Sequence, residues 1–359
     1  MSKGVINGLK RLRIGYHNRV ARIVGIKDVA QHAGVSVGTV SNVINRPDLV
    51  APETRVRVQA TIDQLGYVRS EAARSLRAGQ SRIIGQLVLD MANPFFADVA
   101  SGASRAARAA GLRVMLCNSA NDPEEEAEYL SLFAEQRVRG VLLTPADPTG
   151  ADLAVLRRHE IPFVLVDRVT SDGCSVSVDD VAGGRMAAAH LAETGHELVG
   201  YVSGPMSLAQ CRDRRTGALA ALTAHGLPED ALIHVEAERM DVASGRDAGR
   251  RLLKLSRGPT AVFCANDLLA LGVLQSLYAA GVSVPAEMAI VGYDDIELAS
   301  AAAVPLTSVR QPSGEMGQIA AELLIEETGT VPVRQRHRHR RVVLEPELVV
   351  RESTRADSA

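Results

Sequence analysis

From Arg82 onward, short apolar runs alternate with Ala- and Glu-rich stretches of helical spacing. Ile83-Ile84-Gly85-Gln86-Leu87-Val88-Leu89, Val141-Leu142-Leu143 and Phe163-Val164-Leu165-Val166 have the length and continuity of buried parallel strands. Helices are predicted between them, over 96–110, 123–136 and 152–159. The rhythm resumes at Val199-Gly200-Tyr201-Val202, Ala261-Val262-Phe263-Cys264 and Ala289-Ile290-Val291-Gly292-Tyr293. Such alternation predicts doubly wound α/β sheets. About 270 residues are many for one such sheet, so two lobes with a cleft between them are expected.

Residues 26–79 break the rhythm, because they read as short helices with no strand. The first covers 26–33 and ends at Gly34. Ser36 can cap a second over 37–45, since its hydroxyl can accept an orphan N–H. Pro52 and Gly66 bracket a third over 53–65. Val29, Ala30, Ala33, Val40, Val43, Ile44, Val56, Val58, Ile62 and Leu65 supply a small apolar centre. Two helices joined by the tight Ala33-Gly34-Val35-Ser36 turn suit a helix-turn-helix, whose second helix enters the major groove.

Composition agrees with a folded chain: of 359 residues 46% are hydrophobic and 23% charged. Trp is absent and aromatics are only 3%, so aliphatic residues must build the core. The net charge of −2 hides an asymmetry. Residues 1–81 carry 13 Lys and Arg against five acids, and the rest carries 27 against 37. A basic head on an acidic body suits a polyanionic partner, with a basic solvated face as the plainer alternative. No apolar run approaches the roughly 18 residues that span a bilayer, so no membrane is expected as a partner. The first 25 residues are basic without a continuous apolar stretch, which argues against secretion. Cys117, Cys174, Cys211 and Cys264 lie 57, 37 and 53 apart, fitting neither a zinc motif nor a small disulfide framework. A reduced, cytoplasmic location is the natural reading.

Ile26-Lys27-Asp28-Val29-Ala30, Ala33-Gly34-Val35-Ser36, Thr39-Val40-Ser41 and Val43-Ile44-Asn45 closely resemble the head of the lac repressor-like family of bacterial transcriptional regulators. Glu53-Thr54-Arg55, Leu65-Gly66-Tyr67 and Ala72-Ala73-Arg74-Ser75-Leu76-Arg77 continue the match. Asn93-Pro94-Phe95-Phe96, Val138-Arg139-Gly140-Val141, Val166-Asp167-Arg168, Ala265-Asn266-Asp267 and Val291-Gly292-Tyr293-Asp294-Asp295 resemble that family's ligand-binding core. The resemblance implies an all-α helix-turn-helix head plus a two-lobed periplasmic-binding-protein-like core of doubly wound parallel sheets. The expected divisions are a basic extension at 1–25, the DNA-binding domain at 26–69, and a hinge helix and linker at 70–81. A ligand-binding and dimerisation core at 82–352 and a tail at 353–359 complete the chain. The extension is either a basic arm on phosphates or a stretch upstream of the true start, and the second is preferred. Departures from the family pattern are Gly25 for a Thr cap, Gly38 inside the second helix, Asn42 for Arg or His, and Arg69 for Pro.

The resemblance assigns Val37, Gly38 and Asn42 to base edges. Asn can pair with adenine bidentately, and Val37 can touch a thymine methyl; a solvated helix residue is the plainer reading of Asn42. Lys27, Ser36, Thr39, Ser41 and Asn45 suit phosphate contacts, which position without specifying. Ala73, Arg74, Leu76 and Arg77 fall in the short hinge, where the family wedges Leu76 into the minor groove and kinks the duplex. Effector contacts are expected at Phe95, Phe96, Asp147, Arg168, Arg212, Phe263, Asn266 and Asp294, outside the carboxyl ends of strands. Asp267 and Arg214 look more like helix-start or packing groups.

Signals for catalysis are poor. Gly34-Val35-Ser36-Val37-Gly38 satisfies the nucleophile-elbow pattern but lies between helices. Neither a dinucleotide fingerprint nor a P-loop is present, and no cofactor is expected. His337-Arg338-His339 suggests a metal, though its basic run better suits a solvated loop or edge strand. The sequence therefore reads as a ligand-responsive, sequence-specific repressor. Its expected partners are a palindromic double-stranded DNA operator, a second copy of the chain and a small molecule. The resemblance makes a sugar or sugar derivative the default ligand, purine-type ligands occur on the same architecture, and Arg168 and Arg212 leave an acidic ligand open. The alternative is a cytoplasmic small-molecule binding protein or sugar-modifying enzyme on a related two-lobed fold.

Overall fold

The computed structural model describes residues 24–68, 81–146, 153–170, 173–329 and 338–354. The chain divides into two units, Met1–Arg77 and Ala78–Ala359. In the first, α1 (Ile26–Ala33), α2 (Val37–Asn45) and α3 (Pro52–Leu65) follow one another, with a 3₁₀ turn at Pro47–Leu49. Val29, Ala30, Ala33, Val40, Val43 and Val58 form their shared core. Gly34, at φ 65°, stops α1 by adopting the left-handed region that a side chain disfavours. Gly25 lacks a capping side chain, but its N–H donates to Asp28 Oδ2 at 2.8 Å, which recovers half of a capping box.

The second unit holds two six-stranded sheets. Lobe 1 has the order β11-β5-β4-β3-β1-β2, all neighbours parallel. Its strands are β1 (Ile83–Val88), β2 (Arg113–Asn118), β3 (Gly140–Leu143), β4 (Phe163–Val166), β5 (Cys174–Val178) and β11 (Arg341–Leu344). Helices α4 (Pro94–Ala109), α5 (Pro123–Glu135), α6 (Leu153–Arg158) and α12 (Ser313–Thr328) pack on it. Lobe 2 has the order β12-β10-β9-β8-β6-β7, parallel except for β12 against β10. Its strands are β6 (Val199–Ser203), β7 (Leu232–Glu236), β8 (Ala261–Cys264), β9 (Ala289–Asp294), β10 (Thr307–Arg310) and β12 (Glu347–Val349). Its helices are α7 (Asp180–Glu193), α8 (Ala209–Ala224), α9 (Val242–Leu252), α10 (Asp267–Ala279) and the short α11 (Glu297–Ser300). The chain passes between lobes three times, from β5 to α7, from β10 to α12, and from β11 to β12.

Glycines bring three helix pairs into backbone contact. A Cβ on Gly102 of α4 would lie 2.0 Å from the Gly314 carbonyl oxygen, and one on Gly317 of α12 1.9 Å from that of Val99. Gly184 and Gly217 stand in the same relation across α7 and α8, each 2.0 Å from an opposing carbonyl oxygen. Gly245 and Gly272 do so across α9 and α10, at 2.4 and 2.3 Å. No larger residue fits between these helices without moving backbone.

One sequence expectation needs correction. Ser353 and Thr354, assigned to the tail, are buried in lobe 2. Ser353 donates its hydroxyl to Ile290 O at 2.6 Å and accepts from Thr307 N–H at 2.8 Å, so polar side chains form a fixed end of the sheet. In β5, Ser175 and Ser177 are buried beside Cys174, Val176 and Val178, so a strand forms there without a continuous apolar run. No described helix is long and apolar enough to cross a membrane.

Candidate functional site

In the head, α2 carries the residues expected at base edges. Ser36 accepts the Thr39 N–H at 3.0 Å, so the helix begins where its hydroxyl satisfies an orphan donor. The Thr39 hydroxyl lies 2.9 Å from Ser36 Oγ. Val40 and Val43 point into the core, which turns Val37, Gly38 and Asn42 outward; Val37 is 37% exposed despite its apolar side chain. Lys27, Ser36 and Asn45 are also exposed, while Thr39 and Ser41 are half-buried. Asn45 folds back on its own helix, donating to Ser41 O at 2.7 Å. The hinge residues Ala73, Arg74, Leu76 and Arg77 lie outside the described residues, as do Asp147 and His337.

Between the lobes, Leu89, Asp90, Asn93, Phe95 and Phe96 of lobe 1 face Leu208, Gln210, Arg214, Met240, Asn266 and Asp294 of lobe 2. Asn121, Asp167 and Gln311 complete the lining. Most of these positions follow the carboxyl ends of β1, β4, β6, β8, β9 and β10, where an α/β sheet leaves unoccupied backbone and room for a ligand. The space is narrow: about 40 Å³ can take the centre of a water molecule, room for a few waters. Phe95 and Phe96 meet edge to face, with ring centroids 5.0 Å apart. Asn93 caps α4 through Oδ1, which accepts Phe95 N–H at 3.1 Å, and its Nδ2 donates to Asp294 Oδ2 at 2.9 Å. Gln311 Nε2 donates to the other Asp294 oxygen at 2.7 Å.

Arg214 is the cleft's buried cation. Its guanidinium donates to Asp180 Oδ1 at 2.7 Å and to Ala265 O at 2.5 Å, and lies 3.6 Å from the Tyr293 ring centroid. Burial pushes the Asp294 carboxyl up to about 6, against the pull of Arg214 and the Asn93 and Gln311 amides. Burial, with the Asp180 charge behind it, pushes Asp167 up to about 8. One Asp167 oxygen is sealed from solvent with no hydrogen-bond partner among the described residues. Asp167, Asp294 and Asp295 have φ of 58°, 104° and 56°, strained for residues with a side chain. Such strain persists where surrounding structure fixes it, commonly at ligand sites.

The structure thus gathers Phe95, Phe96, Asn266 and Asp294 of the sequence-predicted effector set. It does not gather three others. Arg212 is exposed and donates to Met206 O and Ser207 O at 2.6 and 2.7 Å, capping the approach to its own helix. Arg214 takes the inward place because two residues on a helix differ by about 200° in direction. Phe263 is fully buried in lobe 2, its ring 5.2 Å from that of Tyr201. Arg168 follows Asp167 but does not line the cleft. Asp267 is structural, as expected: it accepts from Ser308 Oγ at 2.7 Å and Ile296 N–H at 2.9 Å. Asn93 and Gln311 were legible as polar residues before Pro94 and Pro312, where a helix starts; nothing in the sequence marked their shared partner.

Residues 25–70 match the model for bacterial regulatory proteins of the lacI family, and residues 188–354 match that for a periplasmic binding protein-like domain. The chain is 35% identical over 334 residues to the HTH-type transcriptional repressor PurR of Photobacterium profundum, covering 92% of this chain and 98% of that one. It is 36% identical over 316 residues to the ribose operon repressor of Escherichia coli, covering 87% and 95%. Its fold superimposes on the lac repressor dimer bound to operator and the anti-inducer ONPF with a TM-score of 0.78 at 28% identity, over 93% and 100% of the chains. These relatives are repressors, so the two-lobed core serves regulation and not catalysis. The chain belongs to the lacI family of bacterial regulatory proteins, DNA-binding transcriptional regulators that respond to small molecules.

Proposed function

We propose that this chain is a cytoplasmic repressor that binds a palindromic operator as a homodimer and takes a sugar or sugar derivative into its interlobe cleft. The observation that carries the reading is the cleft's composition. Arg214, Asn266, Asp294 and Gln311 offer converging donors and acceptors for hydroxyls, beside the apolar Phe96 and Met240. The similarity to a ribose operon repressor supports the same ligand class. In this reading Val37, Gly38 and Asn42 meet base edges, and Lys27, Ser36, Thr39, Ser41 and Asn45 meet phosphates. A hinge at 70–81 joins head to core, with Ala73, Arg74, Leu76 and Arg77 at the minor groove. The wider space a ligand needs comes from parting the lobes, so ligand and operator each bias one equilibrium and alter each other's affinity by the same factor.

A thermal-shift screen of the full chain with pentoses, hexoses, sugar acids, nucleosides and purines tests the ligand class, since a ligand of the native state raises its melting temperature. A stabilising sugar is expected; stabilisation by purines alone would exclude the sugar reading. Footprinting should show two symmetric half-sites protected together. One isolated half-site at saturation would exclude the dimer.

A further inference from the structure

Away from the cleft, at the far edge of lobe 1, three chain segments converge. Cys174 opens β5, Glu327 lies in the last turn of α12, and His339 stands just before β11. The Cys174 sulfur, a Glu327 carboxylate oxygen and a His339 ring nitrogen all lie within 4.8 Å of one another. Cys174 Sγ and His339 Nδ1 are 3.8 Å apart. A zinc ion with Zn–S near 2.3 Å and Zn–N near 2.0–2.1 Å in a tetrahedron holds its sulfur and nitrogen about 3.6 Å apart. The observed separation therefore needs only a small adjustment.

We propose that Cys174, His339 and Glu327 bind one divalent cation of the zinc type, with a water in the fourth position. The donor set favours that class: thiolate and imidazole select against magnesium and calcium, which take oxygen, and the carboxylate suits a borderline cation. A thiolate and a carboxylate also neutralise a 2+ charge. Two surrounding features fit. The Arg340 N–H points at Cys174 Sγ from 3.4 Å, an outer contact that stabilises a thiolate. A surface pocket lined by Glu327 and His339, with Arg157, Phe163 and Gly173, gives an entry path and room for the water. The bound cation would pin the end of α12 to the start of β11, which among the described strands pairs with β5 alone.

The test is cobalt titration of the full chain, reduced and stripped with a chelator. One equivalent of Co²⁺ should produce a thiolate-to-metal charge-transfer band, and Zn²⁺ should bleach it. Cys174→Ser should abolish the band, and Cys117→Ser should keep it. His339→Ala changes an exposed side chain and should leave the circular dichroism spectrum unchanged. It should weaken Co²⁺ by at least about tenfold, the loss that follows even when only an outer partner is removed. No band in the wild type would mean a thiol–imidazole hydrogen bond only, and would overturn the proposal. So would a full band in Cys174→Ser, or unchanged Co²⁺ affinity in a folded His339→Ala.

Discussion

Asn93 and Asp294, 201 residues apart in sequence, share a buried 2.9 Å hydrogen bond that ties the start of α4 in lobe 1 to the end of β9 in lobe 2. The same Asn93 side chain caps α4, so one residue both starts a helix and closes the cleft. Asn93→Ser keeps a helix cap but is too short to reach Asp294. It should cost about 1–3 kcal/mol, because a buried acceptor loses a donor, and should open the core, seen as a larger radius of gyration in X-ray scattering. Unchanged scattering would show that Gln311 and packing close the lobes without this bond.

Arg214 and Arg212 should separate cleanly. Arg214→Ala leaves Asp180 without its ion-pair partner and should cost about 3–5 kcal/mol in urea denaturation near neutral pH. Arg212→Ala removes an exposed cap and should cost less than about 1 kcal/mol. With the compound found by thermal shift, calorimetry should give near-normal affinity for Arg212→Ala. A large loss there would return Arg212 to the site.

The raised acids set a pH dependence. Asp167 binds its proton up to about pH 8 in the folded chain, against a usual value of 3.8. Between those values the folded state holds more protons than the unfolded one, so stability falls as pH rises through the window. Asp294, pushed to about 6, adds to the fall in the lower half. The urea midpoint should drop between about pH 5 and pH 8.5, and Asp167→Asn should flatten the upper part of that drop. A midpoint that rose over this range would contradict the burial described for Asp167.

In the head, Asn42→Ala should relax specificity at one base of each half-site and cost about 1–3 kcal/mol of operator binding. Competition among operator variants measures this; a uniform loss would make Asn42 a backbone contact. Gly38→Ala meets only Ser36 Oγ, at 3.5 Å, and should stabilise the head by about 1 kcal/mol through helix propensity.

Local pattern carried the reading far in some places. Ser36, Gly34 and Gly66 delimited helices because capping and left-handed turns act within a few residues. Strands buried on both faces, such as β4 and β8, announced themselves as continuous apolar runs. β2 did not, because it lies at a sheet edge and is half-exposed. Within the cleft, strand ends pointed to Asn266 and Asp294, but which Arg of α8 faces inward depends on helix phase. That phase is fixed by Gly217 against α7, a contact between segments some thirty residues apart. The pairing of Asn93 with Asp294 and of Cys174 with His339 likewise arises only once the lobes are built.

The glycine seams have a mechanical consequence. Where carbonyls meet bare α-carbons, at Gly102 and Gly317, Gly184 and Gly217, and Gly245 and Gly272, no side chain lies between the paired helices to flex. Each lobe then behaves as a stiff plate, since close-packed interiors transmit displacement instead of absorbing it. Compliance is left to the three thin ribbons where the chain changes lobes. A molecule that props the plates apart loses little of its leverage to breathing within a sheet, and most of the motion it causes emerges as rotation about those ribbons.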